Sequence, residues 1–72
     1  MSQVAAIGAQ PLVGGFALAG ARVYPAAGAD ETRAAWQALP DTVAVVILTP
    51  DAAEALGTDR IGPQAPLTVV LP

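Results

Sequence analysis

The sequence contains no cysteine, no histidine and no lysine. Without cysteine the chain forms no disulfide and offers no thiol nucleophile, and without histidine it has no imidazole base. Structural zinc sites are built from cysteine and histidine ligands, so that class of metal site is excluded as well. The missing lysine excludes a Walker loop, because the lysine of that loop contacts the nucleotide phosphates.

Positive charge is also scarce, since Arg22, Arg33 and Arg60 are the only basic side chains and there are six acidic ones. With a formal net charge of −3 the chain has no basic patch to neutralise phosphates, so we expect no nucleic-acid partner. Glutamine, proline and glycine interrupt the uncharged stretch before Arg22, which therefore suits neither a signal peptide nor a membrane span. We expect a protein that is neither exported nor inserted into a membrane.

Core-forming residues, by contrast, are abundant. The 72 residues are 54% hydrophobic and only 12% charged, which is the opposite of the balance found in disordered chains. The length predicts a single domain over residues 1–72. A chain this short buries only about 60% of the surface that its unfolded form exposes, so dense packing or a partner is needed.

The first third of the chain predicts a strand, a helix and a second strand. The apolar run 4–7 ends at Gly8 and is typical of a short buried strand. Pro11 stands where a helix tolerates proline, in the first turn, and Gly20 suits the C-terminal cap of that helix. Residues 22–24 predict the second strand. The predicted apolar face of the helix is formed by Leu12, Val13, Phe16 and Ala19.

Two adjacent glycines oppose this helix prediction. Gly14 and Gly15 would each cost about 1 kcal/mol relative to alanine in a helix interior. A very close approach of the helix to a strand would explain both, because only glycine leaves room for such an approach.

The rest of the chain predicts two further helices and two further strands. Asp30 is expected to cap a helix that continues to about Leu39. The β-branched run 43–48 shows no alternation and is typical of a central parallel strand that is covered on both faces. A short helix is expected between Thr49, as its N-cap, and Gly57. Residues 57–66 are expected to form a loop, and 67–71 the last strand.

These elements predict an α/β fold. Short right-handed connections between consecutive parallel strands give a four-stranded sheet in the order 2-1-3-4, with helices on both faces. The expected architecture is therefore a three-layer α/β/α domain of receiver-like or flavodoxin-like topology.

No combination of residues in the sequence predicts catalysis or a cofactor. Gly8 precedes a helix, but the second glycine of the dinucleotide fingerprint is missing. A receiver domain needs a phosphoacceptor aspartate at the end of its central strand, where this chain has Thr49. Asp51 and Glu54 are best explained as ordinary acids near a helix start, and Trp36 as a core residue. We expect no enzyme activity, no cofactor and no metal.

Two kinds of binding remain open in addition to the family resemblance given below. A small-ligand site would lie at the carboxyl ends of the strands, near residues 8–11 and 49–51. Alternatively, the strand at 67–71 carries no charge to protect its edge, so a stand-alone module could form a homodimer through this edge strand.

One stretch of the sequence is more specific than the rest. Ile7-Gly8 is followed, after six residues, by Gly15, Phe16, Ala17, Leu18, Ala19 and Gly20. This order resembles the opening of the F subunit of V-type and archaeal-type rotary ATPases (ATP synthases). In that family the first strand ends in Ile-Gly, and a G-F-x-L-A-G run lies on the first helix.

The resemblance covers nearly the whole chain. Residues 22–24 correspond to the second strand of the family. Residues 46–51, which include Thr49 and Asp51, look like its I-L-I-T-E-D junction between strand and helix. Residues 66–72 look like its closing strand, which is bracketed by prolines.

The resemblance implies a non-catalytic subunit of the central stalk, with the other stalk subunits as partners. It also implies a contribution to coupling or to the regulation of proton transport, from a place peripheral to the membrane. The sequence departs from the family at Ala9, where an acid is usual, and at Ala17, where a polar residue is usual. It ends at Pro72, without the C-terminal helical arm of the family, and is thus expected to be a short form.

Overall fold

The computed structural model describes residues 3–9, 13, 15–16, 20–63 and 65–72. Its four strands are β1 (Gln3–Gly8), β2 (Arg22–Pro25), β3 (Val43–Leu48) and β4 (Leu67–Val70). Its helices are α1 (Ala29–Gln37) and α2 (Pro50–Leu56), and a 3-10 turn (Gly57–Arg60) follows α2. Neither α1 nor α2 has the length and the apolar run needed to cross a membrane.

The strands form one parallel sheet in the order β2-β1-β3-β4, which confirms the predicted α/β fold and strand order. In the central pair, Ala5 lies opposite Val46 and Ile7 lies opposite Leu48. The β-branched run of β3 is therefore central, as expected from its lack of alternation. The expected cover on both faces is wrong, because Val45 and Ile47, which share one face, are only half-buried.

Both α1 and α2 cover the same face of the sheet. Side chains alternate between the two faces along a strand, so Ala5 and Ile7 of β1 share this face with Val46 and Leu48 of β3. These residues form one buried cluster together with Ala26, Val43, Ala52, Ala53 and Leu56, and Tyr24, Ala35, Trp36 and Leu39 pack against it. The expected core position of Trp36 is thus half right, because its side chain is only partly buried.

The segment between β1 and β2 contributes to the opposite face. Phe16 is half-buried and lines a shallow cavity with Val4 and Ile47, both of which point away from the α1 side. Val13 is fully buried and lies outside the cluster that α1 and α2 cover. Most of the predicted first helix (residues 10–12, 14 and 17–19) lies outside the described residues.

The glycines of this segment differ from one another. Gly20 has a φ of 91°, and the Ala21 N–H next to it donates to the Phe16 carbonyl at 3.1 Å, as expected for a C-terminal cap. The close approach that would have explained Gly15 is absent, because nothing lies within 4 Å of the place where its Cβ would be.

Two further predictions need correction. The N-cap of α1 is Gly28 instead of Asp30, which lies within the first turn together with Glu31. Asp30 is not needed as a cap because glycine is itself acceptable at an N-cap and the Glu31 carboxylate accepts from the Ala27 N–H at 3.2 Å. The stretch 57–66 is not entirely loop, since the 3-10 turn occupies its first residues.

At the end of β1 a glycine lies very close to the side chain of Thr49. A Cβ on Gly8 would lie within 3 Å of the Cβ, Cγ2 and Oγ1 atoms of Thr49, and the φ of Gly8 is 157°. Any other residue would therefore be strained in its backbone and would collide with the residue that follows β3.

We expect Gly8→Ala to lower the free energy of unfolding by about 2–5 kcal/mol, because it adds backbone strain to a steric overlap. Urea denaturation followed by far-UV circular dichroism measures the change. The control is Gly62→Ala, whose Cβ would meet nothing within 4 Å and which we expect to change the stability by less than about 0.5 kcal/mol. Equal effects of the two substitutions would contradict this account.

Candidate functional site

The carboxyl edge of the sheet brings together three of the residues singled out in the sequence: Ile7, Gly8 and Thr49. The Thr49 N–H donates to the Ile7 carbonyl at 3.2 Å, and the Ala26 N–H donates to the Gly8 carbonyl at 2.8 Å. Gly8 packs directly against the Thr49 side chain. The ends of β1, β2 and β3 are therefore tied together by backbone hydrogen bonds at this edge.

The Thr49 hydroxyl has a structural role here. Its Oγ1 accepts from the Ala52 N–H at 3.2 Å, and Thr49 is only 2% exposed. It is the N-cap of α2, as predicted, and Pro50 occupies the first turn of that helix. A hydroxyl that is buried and engaged in capping is not placed to attack a substrate.

A crevice of about 510 Å³ lies beside these strand ends, where the sequence predicted a ligand site if the protein has one. Its polar lining residues are Thr32, Arg33, Thr49, Asp51 and Glu54. Small residues form the rest of its wall: Ala9, Ala26, Ala27, Gly28, Ala29, Ala52 and Ala55.

The charges around this crevice do not suit a phosphate. The Arg33 guanidinium lies 3.4 Å from the Asp30 carboxylate, and that pair is exposed. Asp51 and Glu54 are also exposed and add negative charge that repels an anion. Within the described part of the chain, no three potential histidine, cysteine, aspartate or glutamate ligands cluster to hold a metal ion.

The remaining residues of the family motif lie apart from this edge. Phe16 and Gly20 line the shallow cavity beside Val4 on the opposite face of the sheet. Gly15 is exposed next to Phe16. Leu18 and Ala19 lie outside the described residues. The motif is thus divided between two places and does not form one site.

A second groove, of about 680 Å³, lies at the amino ends of β3 and β4. Trp36, Pro40 and Pro66 form apolar parts of its wall, and Asp41 and Asp59 stand beside them. Sequence reasoning missed this groove because its wall combines the end of α1 with the loop before β4, which are distant in the chain.

An exposed apolar surface lies on β4. Leu67 is 67% exposed, Val69 48% and Val70 41%. Leu67 pairs with Val45, which pairs with Val4, so these three side chains form a row on the face away from α1 and α2. Val69 and its neighbour Ile47 form the next row. We call these five residues the open sheet face: Val4, Val45, Ile47, Leu67 and Val69.

The comparisons with known proteins do not identify a relative. No model of a known protein family matches this chain, and no curated protein matches it. The geometry of the described residues is therefore the main basis for a functional proposal.

The capping role of Thr49 can be tested with two substitutions of similar size. Thr49→Val keeps the volume beside Gly8 but removes the acceptor for the Ala52 N–H, so we expect a loss of about 0.5–2 kcal/mol in the free energy of unfolding. Thr49→Ser keeps the acceptor and should lose less. Denaturation in urea compares the two, and a valine variant more stable than the serine variant would overturn the assignment.

Proposed function

We propose that this chain is a non-catalytic protein-binding domain and that it docks on another central-stalk subunit of a rotary ATPase, in the manner of the stalk family that its sequence resembles. The observation that carries the proposal is the open sheet face. Large exposed apolar patches that are rimmed by polar residues mark interaction sites on small domains. The stalk is the candidate assembly because of the sequence resemblance.

The open sheet face has the dimensions of a docking site for one helix. It extends over β1, β3 and β4, which are neighbours in the sheet. Neighbouring strands lie about 4.8 Å apart, so three strands span about 10 Å, the diameter of a helix with its side chains. None of the five side chains is charged. A partner helix with one apolar face would therefore cover it well.

The positions of the quoted motifs in the fold support the stalk assignment. Ile7 and Gly8 end β1, as the first-strand motif of the family requires. Thr49 and Asp51 stand at the junction between β3 and α2. As a stalk subunit the protein would be cytoplasmic, peripheral to the membrane, and would contribute to coupling or to the regulation of proton transport.

A second candidate function is self-association through β4. The observation that favours it is different from the open sheet face: β4 is at one edge of the sheet, and residues 67–71 contain no charge. Charged side chains are a common device by which natural edge strands avoid pairing with another chain.

The stalk proposal is tested by affinity purification of the tagged chain from its native lysate, with the bound proteins identified by mass spectrometry. We expect rotary ATPase subunits to be recovered. Val4→Glu places a charge on the open sheet face, and we expect it to reduce this recovery by about tenfold or more, because a charge without a partner would be buried at the interface.

The matched control is Ile61→Glu. Ile61 is an apolar residue that is 69% exposed but lies in the loop before β4, outside the open sheet face. It should leave the recovery unchanged, and thermal unfolding should show that both variants are folded. Absence of ATPase subunits with the unmodified chain would refute the stalk proposal, and equal losses with both variants would refute the open sheet face as the docking surface.

A further inference from the structure

The backbone of β4 is hydrogen-bonded to β3 along one side, and no described strand pairs with its other side. The Leu71 N–H donates to the Leu48 carbonyl at 2.8 Å, so residue 71 directs its backbone groups toward β3. In a parallel ladder this direction alternates along the strand. Leu67 and Val69 therefore also face β3, whereas Thr68 and Val70 direct their N–H and carbonyl groups away from the sheet. Among the described strands, β4 pairs with β3 alone.

The two edges of the sheet differ in how they are protected. The β2 edge carries the exposed Arg22 and ends in Pro25, and both features oppose the addition of another strand. The β4 edge has neither a charge nor an internal proline. Its prolines, Pro66 and Pro72, stand just outside the stretch that could pair.

The sequence around β4 is nearly symmetric about one residue. From Pro66 to Pro72 it is Pro-Leu-Thr-Val-Val-Leu-Pro, with Val69 at the centre. Reversal of this order places leucine on leucine and proline on proline, and only Thr68 and Val70 exchange unlike side chains. In an antiparallel pair centred on Val69, apolar residues would therefore lie opposite apolar residues, except where Thr68 lies opposite Val70.

We propose that β4 pairs antiparallel with β4 of a second copy of this chain, about a twofold axis through Val69. The proposal rests on the proposed protein-binding function and specifies the partner for its self-associating form. The result is a continuous sheet that extends through both copies.

The hydrogen-bond directions agree with this axis. With Val69 opposite Val69 of the second copy, Thr68 of each copy lies opposite Val70 of the other. These are the two residues whose N–H and carbonyl groups point outward, so each such pair exchanges both of its backbone hydrogen bonds. Pro66 then lies opposite Pro72 of the second copy. Because proline has no N–H, the ladder ends at these residues on both sides.

The side chains favour a strand over a helix as the occupant of this edge. Leu67 and Val69 are exposed on one face of the sheet, and Val70 is exposed on the other. A helix on the open sheet face would leave Val70 uncovered, whereas an added strand provides neighbours on both faces. Although the chain carries a net charge of −3, this edge brings no like charges together.

Oxidative cross-linking tests the axis directly, since the chain contains no cysteine of its own. Residues at a non-hydrogen-bonded antiparallel position have Cα atoms about 4.5 Å apart, within the range of a disulfide. We expect Val69→Cys to form a covalent dimer under mild oxidation at least about tenfold faster than the exposed control Ile61→Cys. Equal rates for the two variants would overturn the proposal.

Charge complementation tests the same pairing without a covalent bond. Light scattering over a range of concentrations should show that the unmodified chain forms a dimer. Val69→Lys alone and Val69→Glu alone should weaken the dimer at least about tenfold, because like charges would face each other at the axis. A mixture of the two variants should recover it. Failure of the mixture to recover a dimer would show that residue 69 does not face its own copy.

A backbone variant separates this proposal from the stalk proposal. Thr68→Pro removes an outward N–H, which an edge strand tolerates, and leaves the open sheet face intact. It should abolish the dimer without changing the recovery of stalk subunits. A monomer at every concentration that still recovers those subunits would refute the dimer alone. A dimer that recovers none would refute stalk membership alone.

Discussion

The pairing of β1 with β3 is the interaction on which the rest of the structure depends. These two strands form the centre of the sheet: β2 pairs with β1, β4 pairs with β3, and both α1 and α2 contact β1. At the carboxyl end of this pair, Gly8 allows the backbone of β1 to lie against Thr49. The same Thr49 then begins α2, so one contact determines where β3 ends and where the covering helix starts.

The two faces of this sheet are covered unequally by the described residues. Here α1 and α2 lie together on one face, where Ile7, Val46 and Leu48 are completely buried. On the other face Val4, Leu67 and Val69 stay exposed. α1 contacts β1, and α2 contacts both β1 and β3. The apolar surface that we assign to binding thus lies on the face opposite to these two helices.

The fold could be predicted from the sequence because its signals are local. The run 43–48 has the unbroken apolar character of a central strand, and Thr49 with Pro50 marks a helix start without any knowledge of the tertiary structure. The exposure of β4 could not be predicted in the same way. An apolar strand of this kind has the same pattern whether a helix covers it or not, so only the three-dimensional arrangement distinguishes the two.

For the crevice at the strand ends, its place could be predicted from the sequence, but the charges around it could not. Sequence reasoning indicated the strand ends as the place where a ligand site would lie, because parallel strands present their carboxyl ends at one edge. It could not weigh the charges there, since Arg33 comes from α1 and Glu54 from α2. For Gly15, a close approach to a strand was the explanation considered, and that approach is absent. A glycine in a sequence indicates either conformational freedom or lack of space, and the sequence alone does not distinguish the two.

The two binding proposals are geometrically compatible, and this follows from the symmetry of the dimer. A twofold axis perpendicular to the sheet preserves its faces, so the open sheet faces of both copies lie on the same side. Leu67 of one copy then lies beside Leu71 of the other, and the two Val69 side chains meet between them. Pairing through β4 therefore leaves the apolar face uncovered and makes it about twice as wide. A dimer would present room for two partner helices side by side, where the single chain presents room for one.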